Sequence, residues 1–93
     1  MVVGLLTLEL YIHDSASLKA KRRAVRSLYD RIRTRFNVSV AEVGNHDAWQ
    51  RATLAVAVAT TDASQAYRVL SAVVDFVQRD GSVELSDYAV ELR

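Results

Sequence analysis

Hydrophobic and polar residues alternate along residues 4–14, near the start of the chain. In an extended strand, one side of this segment would carry only apolar residues: Leu6, Leu8, Leu10 and Ile12. The segment is therefore predicted to be a strand whose apolar side faces the core. Similar patterns predict three more strands, at residues 37–43, 49–61 and 82–92. In the last strand the phase slips between Leu85 and Tyr88, which predicts a bulge near Ser86–Asp87.

Two other segments follow the 3.6-residue period of an amphipathic helix. Residues 17–36 carry one apolar stripe, and Ser15 or Ser17 is placed to cap the N-terminus. Residues 63–80 carry the other stripe. Asp62 and Gln65 suit a capping box before this second helix, and Gly81 suits the position after it.

The predicted order is strand, helix, strand, strand, helix, strand. With right-handed crossovers, this order predicts an α+β ferredoxin-like sandwich, in which both helices cover one face of a four-stranded antiparallel sheet of order 4-1-3-2. The 93 residues suffice for one such domain, residues 1–93, and leave no room for a second. The hairpin at residues 44–49 should lie at the same end as the start of the first helix.

Composition excludes several classes of site. The chain has no cysteine, so disulfides, thiolate metal sites and cysteine nucleophiles are absent. Its first residues lack the basic region and the cleavage site of a signal peptide, and their apolar run is too short to span a bilayer. We therefore expect a cytoplasmic protein that has no membrane partner.

The net charge of +1 conceals a strong asymmetry. Residues 19–35 contain eight Lys or Arg and one acidic residue, whereas the rest of the chain contains four basic and ten acidic residues. On a helical wheel, one flank of the apolar stripe carries five cations within about 100°, and Lys21, Arg31 and Arg35 lie on the other flank. Contact with nucleic-acid phosphates is predicted for Lys19, Lys21, Arg22, Arg23, Arg26 and Arg33. The alternative is a solvated helix face whose long side chains cover apolar surface.

The first turn of this helix suggests a smaller site as well. Lys19 and Lys21 lie where the helix dipole is already positive, a position that stability alone would give to an acid. Free backbone N–H groups, hydroxyls and lysines at a helix N-terminus can bind an anion. The predicted anion-binding residues are Ser15, Ser17, Lys19, Lys21 and Arg22.

Three blocks of sequence resemble a known family. "SLKAKR" opens the first helix, and "FNVSVAE" and "DAWQRA" follow near the hairpin. Together they resemble the YlxP-like family of small bacterial proteins, whose function is unassigned. The resemblance covers essentially the whole chain, and it implies a ferredoxin-like fold and a bacterial cytoplasmic protein. Members are often encoded near transcription and translation factors, which implies a connection to RNA or ribosomes but supplies no catalytic residues.

The remaining polar residues favour structural roles. Glu42 shares a strand side with Val38 and Val40, so a buried Glu42 would need a partner such as Lys21, Arg22 or Gln50. A polar clamp between the first helix and the hairpin is predicted to contain Glu42, Asp47 and Gln50. His13-Asp14 and His46-Asp47 converge at this end, but their spacing matches no metal motif and solvated loop residues are expected. No catalytic residue, metal or cofactor is predicted.

The outer face of the sheet is predicted to carry mostly small side chains and few charges. It would carry Thr7, Glu9, Tyr11, Thr53, Ala55, Ala57, Ala59 and Tyr88 or Ala89. Its strand centres lack the aromatics on which RNA-recognition motifs stack bases. Small residues would let a second sheet approach, so a homodimer through this face is predicted. The sequence thus favours a non-enzymatic RNA- or ribosome-binding protein; a protein-interaction or oligomerising module and a small-anion-binding regulatory domain remain as alternatives.

Overall fold

The computed structural model describes residues 1–93 and contains four strands and two helices. In chain order they are β1 Val2–Tyr11, α1 Leu18–Arg35, β2 Ser39–Gly44, β3 Arg51–Thr60, α2 Ala63–Gln78 and β4 Glu84–Leu92. The strands form one antiparallel sheet of order β2-β3-β1-β4. This is the ferredoxin-like arrangement, and it is the predicted strand order counted from the opposite edge. The predicted fold is confirmed.

The core lies between the sheet and the two helices. β1 and β3 contribute the alternate residues that the pattern assigned to the apolar side, and Leu6, Leu8 and Leu54 are completely buried. Each helix contributes one stripe to the same cluster: Val25, Leu28 and Ile32 from α1, and Ala66, Leu70, Val73, Val74 and Val77 from α2. The periods of 2 and 3.6 residues therefore identified the buried faces of these elements.

Gly4 brings β1 close to α2. A Cβ atom at this position would lie 2.9 Å from Leu70 Cδ1 and 3.3 Å from the Cβ of Ala66. Glycine therefore allows the helix to pack closely against the start of the strand.

Two irregularities bend the edge strands. The pairing of β1 with β4 passes from Glu9–Asp87 to Leu10–Leu85, so Ser86 is the extra residue and the predicted bulge is confirmed. The pairing of β2 with β3 passes from Glu42–Leu54 to Gly44–Thr53. This second bulge contains Val43, which is 53% exposed, and the alternating pattern did not predict it.

The end of α2 differs from the prediction. The helix ends at Gln78, its C-cap Arg79 has right-handed backbone angles, and Gly81 does not have a positive φ. Gly81 therefore does not form the C-terminal cap that its position suggested. The Asp80 carboxylate instead accepts hydrogen bonds from the backbone N–H and the hydroxyl of Ser82, and this turn delays β4 to Glu84.

Candidate nucleic-acid interface

Seven cationic side chains are exposed on α1, and five of them lie on the predicted flank of the apolar stripe. We define the basic surface as Lys19, Arg22, Arg23, Arg26 and Arg33, all of which are exposed to solvent. Asp30 is the only acidic residue of the helix, and the first turn contains none. The predicted flank of the helix is therefore a solvent-facing surface of predominantly positive charge.

Most of this charge has no partner within the protein. Lys19, Arg22, Arg23 and Arg33 form no ion pair with an acidic residue. Arg26 has its Nε atom 3.3 Å from an oxygen of Asp30, but its side chain is 71% exposed. An exposed pair of this kind contributes little to stability and is weakened by salt.

Lys21 does not belong to the basic surface. Its side chain is completely buried, and its Nζ atom donates hydrogen bonds of 2.9 Å to Glu42 Oε2 and of 2.9 Å to the carbonyl of Asn45. The prediction that Lys21 contacts phosphates is therefore wrong, because both its burial and its two acceptors hold the ammonium group inside the protein.

The predicted clamp exists around Glu42 but has different members. Lys21 on α1 is tied to Glu42 on β2 and to Asn45 in the hairpin, as a clamp between these elements requires. Gln50 instead accepts a hydrogen bond of 3.1 Å from the Tyr11 hydroxyl. Asp47 is exposed and makes no hydrogen bond, so neither Asp47 nor Gln50 is part of the clamp.

The predicted anion site at the start of α1 is not assembled. The hydroxyl of Ser17 accepts a hydrogen bond of 3.1 Å from the backbone N–H of Ala20 and so caps the helix, as one of the two predicted caps. Ser15 is 6% exposed, and its hydroxyl donates to the Ser17 carbonyl. With Lys21 also turned inward, only Lys19 and Arg22 of the five predicted residues extend into solvent.

The other flank of α1 contacts α2 and the turn that follows it. Arg31 donates to the Asp80 carboxylate, and the guanidinium of Arg35 lies 5.4 Å from the centre of the Phe76 ring. The Phe36 and Phe76 rings meet edge to face at 5.7 Å. This flank holds the two helices together, which separates it from the basic surface.

A groove runs between α1 and the edge strand β2, beside the basic surface. Its volume is about 530 Å³, and its lining residues are Arg22, Val25, Arg26, Tyr29, Val40, Ala41 and Glu42. A second groove of about 220 Å³ shares Tyr29 and Val40 with it and adds Arg33, Val38 and Ser39. Sequence reasoning missed both grooves, because they form only where a helix and an edge strand pack together.

The two histidines have separate environments. His13 Nε2 lies 3.0 Å from a carboxylate oxygen of Glu84, and His46 Nε2 lies 3.3 Å from the carbonyl of Glu42. The structure has no group of three or more His, Asp or Glu side chains that could hold a metal ion. No helix is long and apolar enough to cross a membrane.

Comparison with known proteins places the chain in a family. The model of the family described as "Protein of unknown function (DUF503)" matches residues 3–90. The chain belongs to this DUF503 family. It is also 31% identical over 83 residues to the uncharacterized protein YlxP of Bacillus subtilis (strain 168), and this match covers 89% of the present chain and 90% of YlxP. The resemblance inferred from the three sequence blocks is therefore confirmed.

Among solved structures, the DUF503 chain resembles a REP-associated tyrosine transposase bound to a REP hairpin. The TM-score is 0.46 and the sequence identity is 9%. The alignment covers 98% of the present chain but only 55% of the transposase chain. At this score the likeness carries no argument about function.

Proposed function

We propose that this DUF503 protein is a non-enzymatic accessory protein of the cytoplasm that docks on RNA or the ribosome through its basic surface. One observation carries the proposal: Lys19, Arg22 and Arg23 are exposed side by side and have no acidic partner. Such cations can bind phosphates and release the condensed counterions of a nucleic acid without first breaking an ion pair.

The placement of these charges costs stability. Lys19 lies three and four residues before Arg22 and Arg23, so like charges are neighbours on the helix surface and repel by a few tenths of a kcal/mol per pair. Lys19 also lies in the first turn, where the helix dipole disfavours a cation. A partner of high negative charge density offsets this repulsion, which supports a role in binding rather than in folding.

The length of the basic surface suits a phosphate backbone. From Lys19 to Arg33 the helix rises about 21 Å at 1.5 Å per residue. One strand of a nucleic-acid duplex carries a phosphate about every 3.4 Å, so this length spans roughly six phosphates. Docking on the backbone requires no covalent chemistry, and it would confer little sequence preference by itself.

The test is a salt titration of binding to ribosomal subunits and to a structured RNA. The basic variant carries Lys19→Gln, Arg22→Gln and Arg23→Gln. Its matched control carries Arg51→Gln, Arg68→Gln and Arg93→Gln, which remove the same charge from other exposed positions. With four to five phosphate contacts, we expect the wild type to show a log–log slope of about −3, and we expect the basic variant to flatten it by about 2.

The control decides whether the surface or only the net charge matters. It should keep the wild-type slope. Equal losses in both variants, or no binding to either target at low salt, would contradict the proposal. Binding to an acidic protein would release far fewer counterions than binding to nucleic acid, so a shallow slope would favour the protein-interaction alternative.

A further inference from the structure

The groove between α1 and β2 has an apolar floor and a cationic rim. Val25 and Val40 are buried at its base, and Tyr29 is half-buried beside them. Arg22 and Arg26 of the basic surface form the rim, and the neighbouring groove continues past Tyr29 to Arg33. The volume of the larger groove, about 530 Å³, falls within the range of small-molecule sites, roughly 300–1,000 Å³.

We infer that this groove takes unpaired bases of a nucleic-acid strand whose phosphates contact the basic surface. The inference rests on the proposed function and makes it more specific. It names the substrate class as single-stranded or looped nucleic acid, because the bases of a duplex are paired and stacked and cannot enter the groove.

On the α1 side of the groove, the Tyr29 ring and two arginine guanidinium groups are flat surfaces on which a base can stack. The guanidinium groups of Arg26 and Arg33 lie 5.0 Å and 5.6 Å from the centre of the Tyr29 ring. Unpaired bases stack on aromatic rings and on arginine guanidinium planes, and such stacking tolerates different sequences. Two arginines around one half-buried tyrosine therefore provide both a stacking surface and positive charge for the adjoining phosphate.

Glu42 determines which part of a nucleotide enters the groove. Its Oε2 atom accepts a hydrogen bond from Lys21, whereas Oε1 makes no hydrogen bond, and the side chain is 26% exposed. A carboxylate inside the groove repels phosphate, so phosphates belong on the arginine rim. The same oxygen can accept a hydrogen bond from a base amino group, such as N4 of cytosine.

The edge strand adds further polar groups. β2 lies at the edge of the sheet and pairs only with β3, so the backbone groups on its outer side have no strand partner. They can bond to base edges that reach past the groove. An extended acidic peptide could also pair with this edge. The unpaired base is the better fit, because the flat Tyr29–arginine cluster and the amino-accepting Glu42 match a base and are not needed by a peptide backbone.

The experiment compares strands of equal charge that have or lack bases. One is an oligodeoxycytidine of about ten nucleotides, a length within the site sizes of single-strand binders, and the other is an abasic strand of the same length. Binding is measured by fluorescence anisotropy for the wild type, for Tyr29→Leu and for Tyr67→Leu. Tyr67 is a matched control, because it is 51% exposed and lies on the other helix.

We expect the wild type to bind the cytidine strand about tenfold more tightly than the abasic strand. Tyr29→Leu keeps an apolar side chain over the core but should lose most of this difference, whereas Tyr67→Leu should retain it. The comparison on the wild type alone does not depend on any variant folding.

Equal affinity for the two strands would overturn the inference and leave the proposed function standing, since the backbone alone would then explain binding. Absence of binding to both strands at low salt, and to structured RNA as well, would instead overturn the proposed function together with the inference. A wild type that binds an acidic extended peptide but neither strand would assign the groove to a protein partner.

Discussion

Lys21 carries a completely buried ammonium group between α1 and the β2–β3 hairpin. The two members of the Lys21–Glu42 ion pair differ in exposure: the Glu42 side chain is 26% exposed, and the Lys21 side chain is not exposed at all. Removal of one member of a buried pair is costly mainly because the other charge stays without compensation. The two possible deletions of this pair should therefore have unequal effects.

The first prediction concerns this asymmetry. Glu42→Leu leaves the ammonium buried with only the Asn45 carbonyl as a partner, and we expect a loss of about 3–5 kcal/mol in the free energy of unfolding. Lys21→Met leaves a carboxylate that water can reach, and we expect a smaller loss of about 1–3 kcal/mol. Urea unfolding measures both. Equal effects, or two neutral variants, would contradict this account of the clamp.

The Lys21→Met variant also tests the extent of the basic surface. Because Lys21 faces inward, Lys21→Met should leave the salt slope of RNA binding unchanged, whereas Lys19→Gln should reduce it by about one phosphate contact. The prediction of phosphate contact for Lys21 overlooked a signal in the sequence, since Lys21, Val25, Leu28 and Ile32 lie at i, i+4, i+7 and i+11 and share the buried face. A lysine on that face is unusual, and only its partners on another element explain it.

Two carboxylates, those of Asp62 and Asp80, accept hydrogen bonds just before and just after α2. Asp62 caps the N-terminus, where its side chain accepts a hydrogen bond of 2.8 Å from the Gln65 backbone N–H and another from the Ser64 hydroxyl, and these bonds lower the pKa of Asp62. Partial burial alone would raise the pKa of Asp80. Hydrogen bonds from Ser82 and from Arg31 outweigh this effect, so the pKa of Asp80 is also lowered.

The second prediction is a loss of stability in acid that depends on these two residues. Both pKa values lie below the ordinary value of 3.8, so above this pH the stabilisation is fully present. As the pH falls below 3.8, the unfolded state binds protons first, and the contribution is lost as the pH passes through the lowered folded pKa values. The melting temperature, followed from neutral to acidic pH, should fall less steeply below 3.8 in the Asp62→Asn, Asp80→Asn double variant.

Asp47→Asn is the control, because Asp47 is exposed and makes no hydrogen bond. It should keep the wild-type pH dependence. If the double variant fell as steeply as the wild type, carboxylates elsewhere in the chain would be responsible for the acid sensitivity.

Secondary structure in this chain was predictable wherever a single element determines the pattern. The slip of phase in the last strand revealed the bulge at Ser86, because each strand residue must face one side or the other. The bulge at Val43 left no such signal, since the short strand β2 ends immediately after it. Gly81 was misleading because Asp80 bonds Ser82 and closes the turn without a left-handed residue.

In the whole molecule, the basic surface and the outer face of the sheet, which carries mostly small residues, lie on opposite sides. The basic surface lies on the helix layer, and the outer sheet face with Ala55, Ala57 and Thr7 lies on the opposite side. The cationic flank was predictable from the helical period, because exposed residues need no partner. The groove beside it was not predictable, since Tyr29 and Val40 lie on different elements and meet only when α1 packs on β2. This is the general reason that a site between elements escapes a reading of single elements.

The homodimer through the outer sheet face remains a prediction. Ten-residue strands are about 33 Å long, and four strands span about 14 Å, so the face offers roughly 500 Å² per chain. Two such faces give a total of about 1,000 Å², below the roughly 1,200 Å² at which standard specific interfaces begin. An interface of this size predicts a weak dimer.

The third prediction tests this dimer by mass. Light scattering of the wild type at micromolar concentration should give a mean mass above that of one chain, because a weak dimer is only partly populated there. Ala57→Arg, at the centre of the face, should give the mass of one chain. Ser71→Arg is the control, since it adds the same charge to an exposed position on α2 and should leave the dimer intact. A monomeric wild type would contradict the prediction, and a dimeric Ala57→Arg variant would move the interface elsewhere. Because the two basic surfaces of such a dimer face away from each other, loss of the dimer should weaken binding to ribosomes, which offer several sites, more than binding to a short strand.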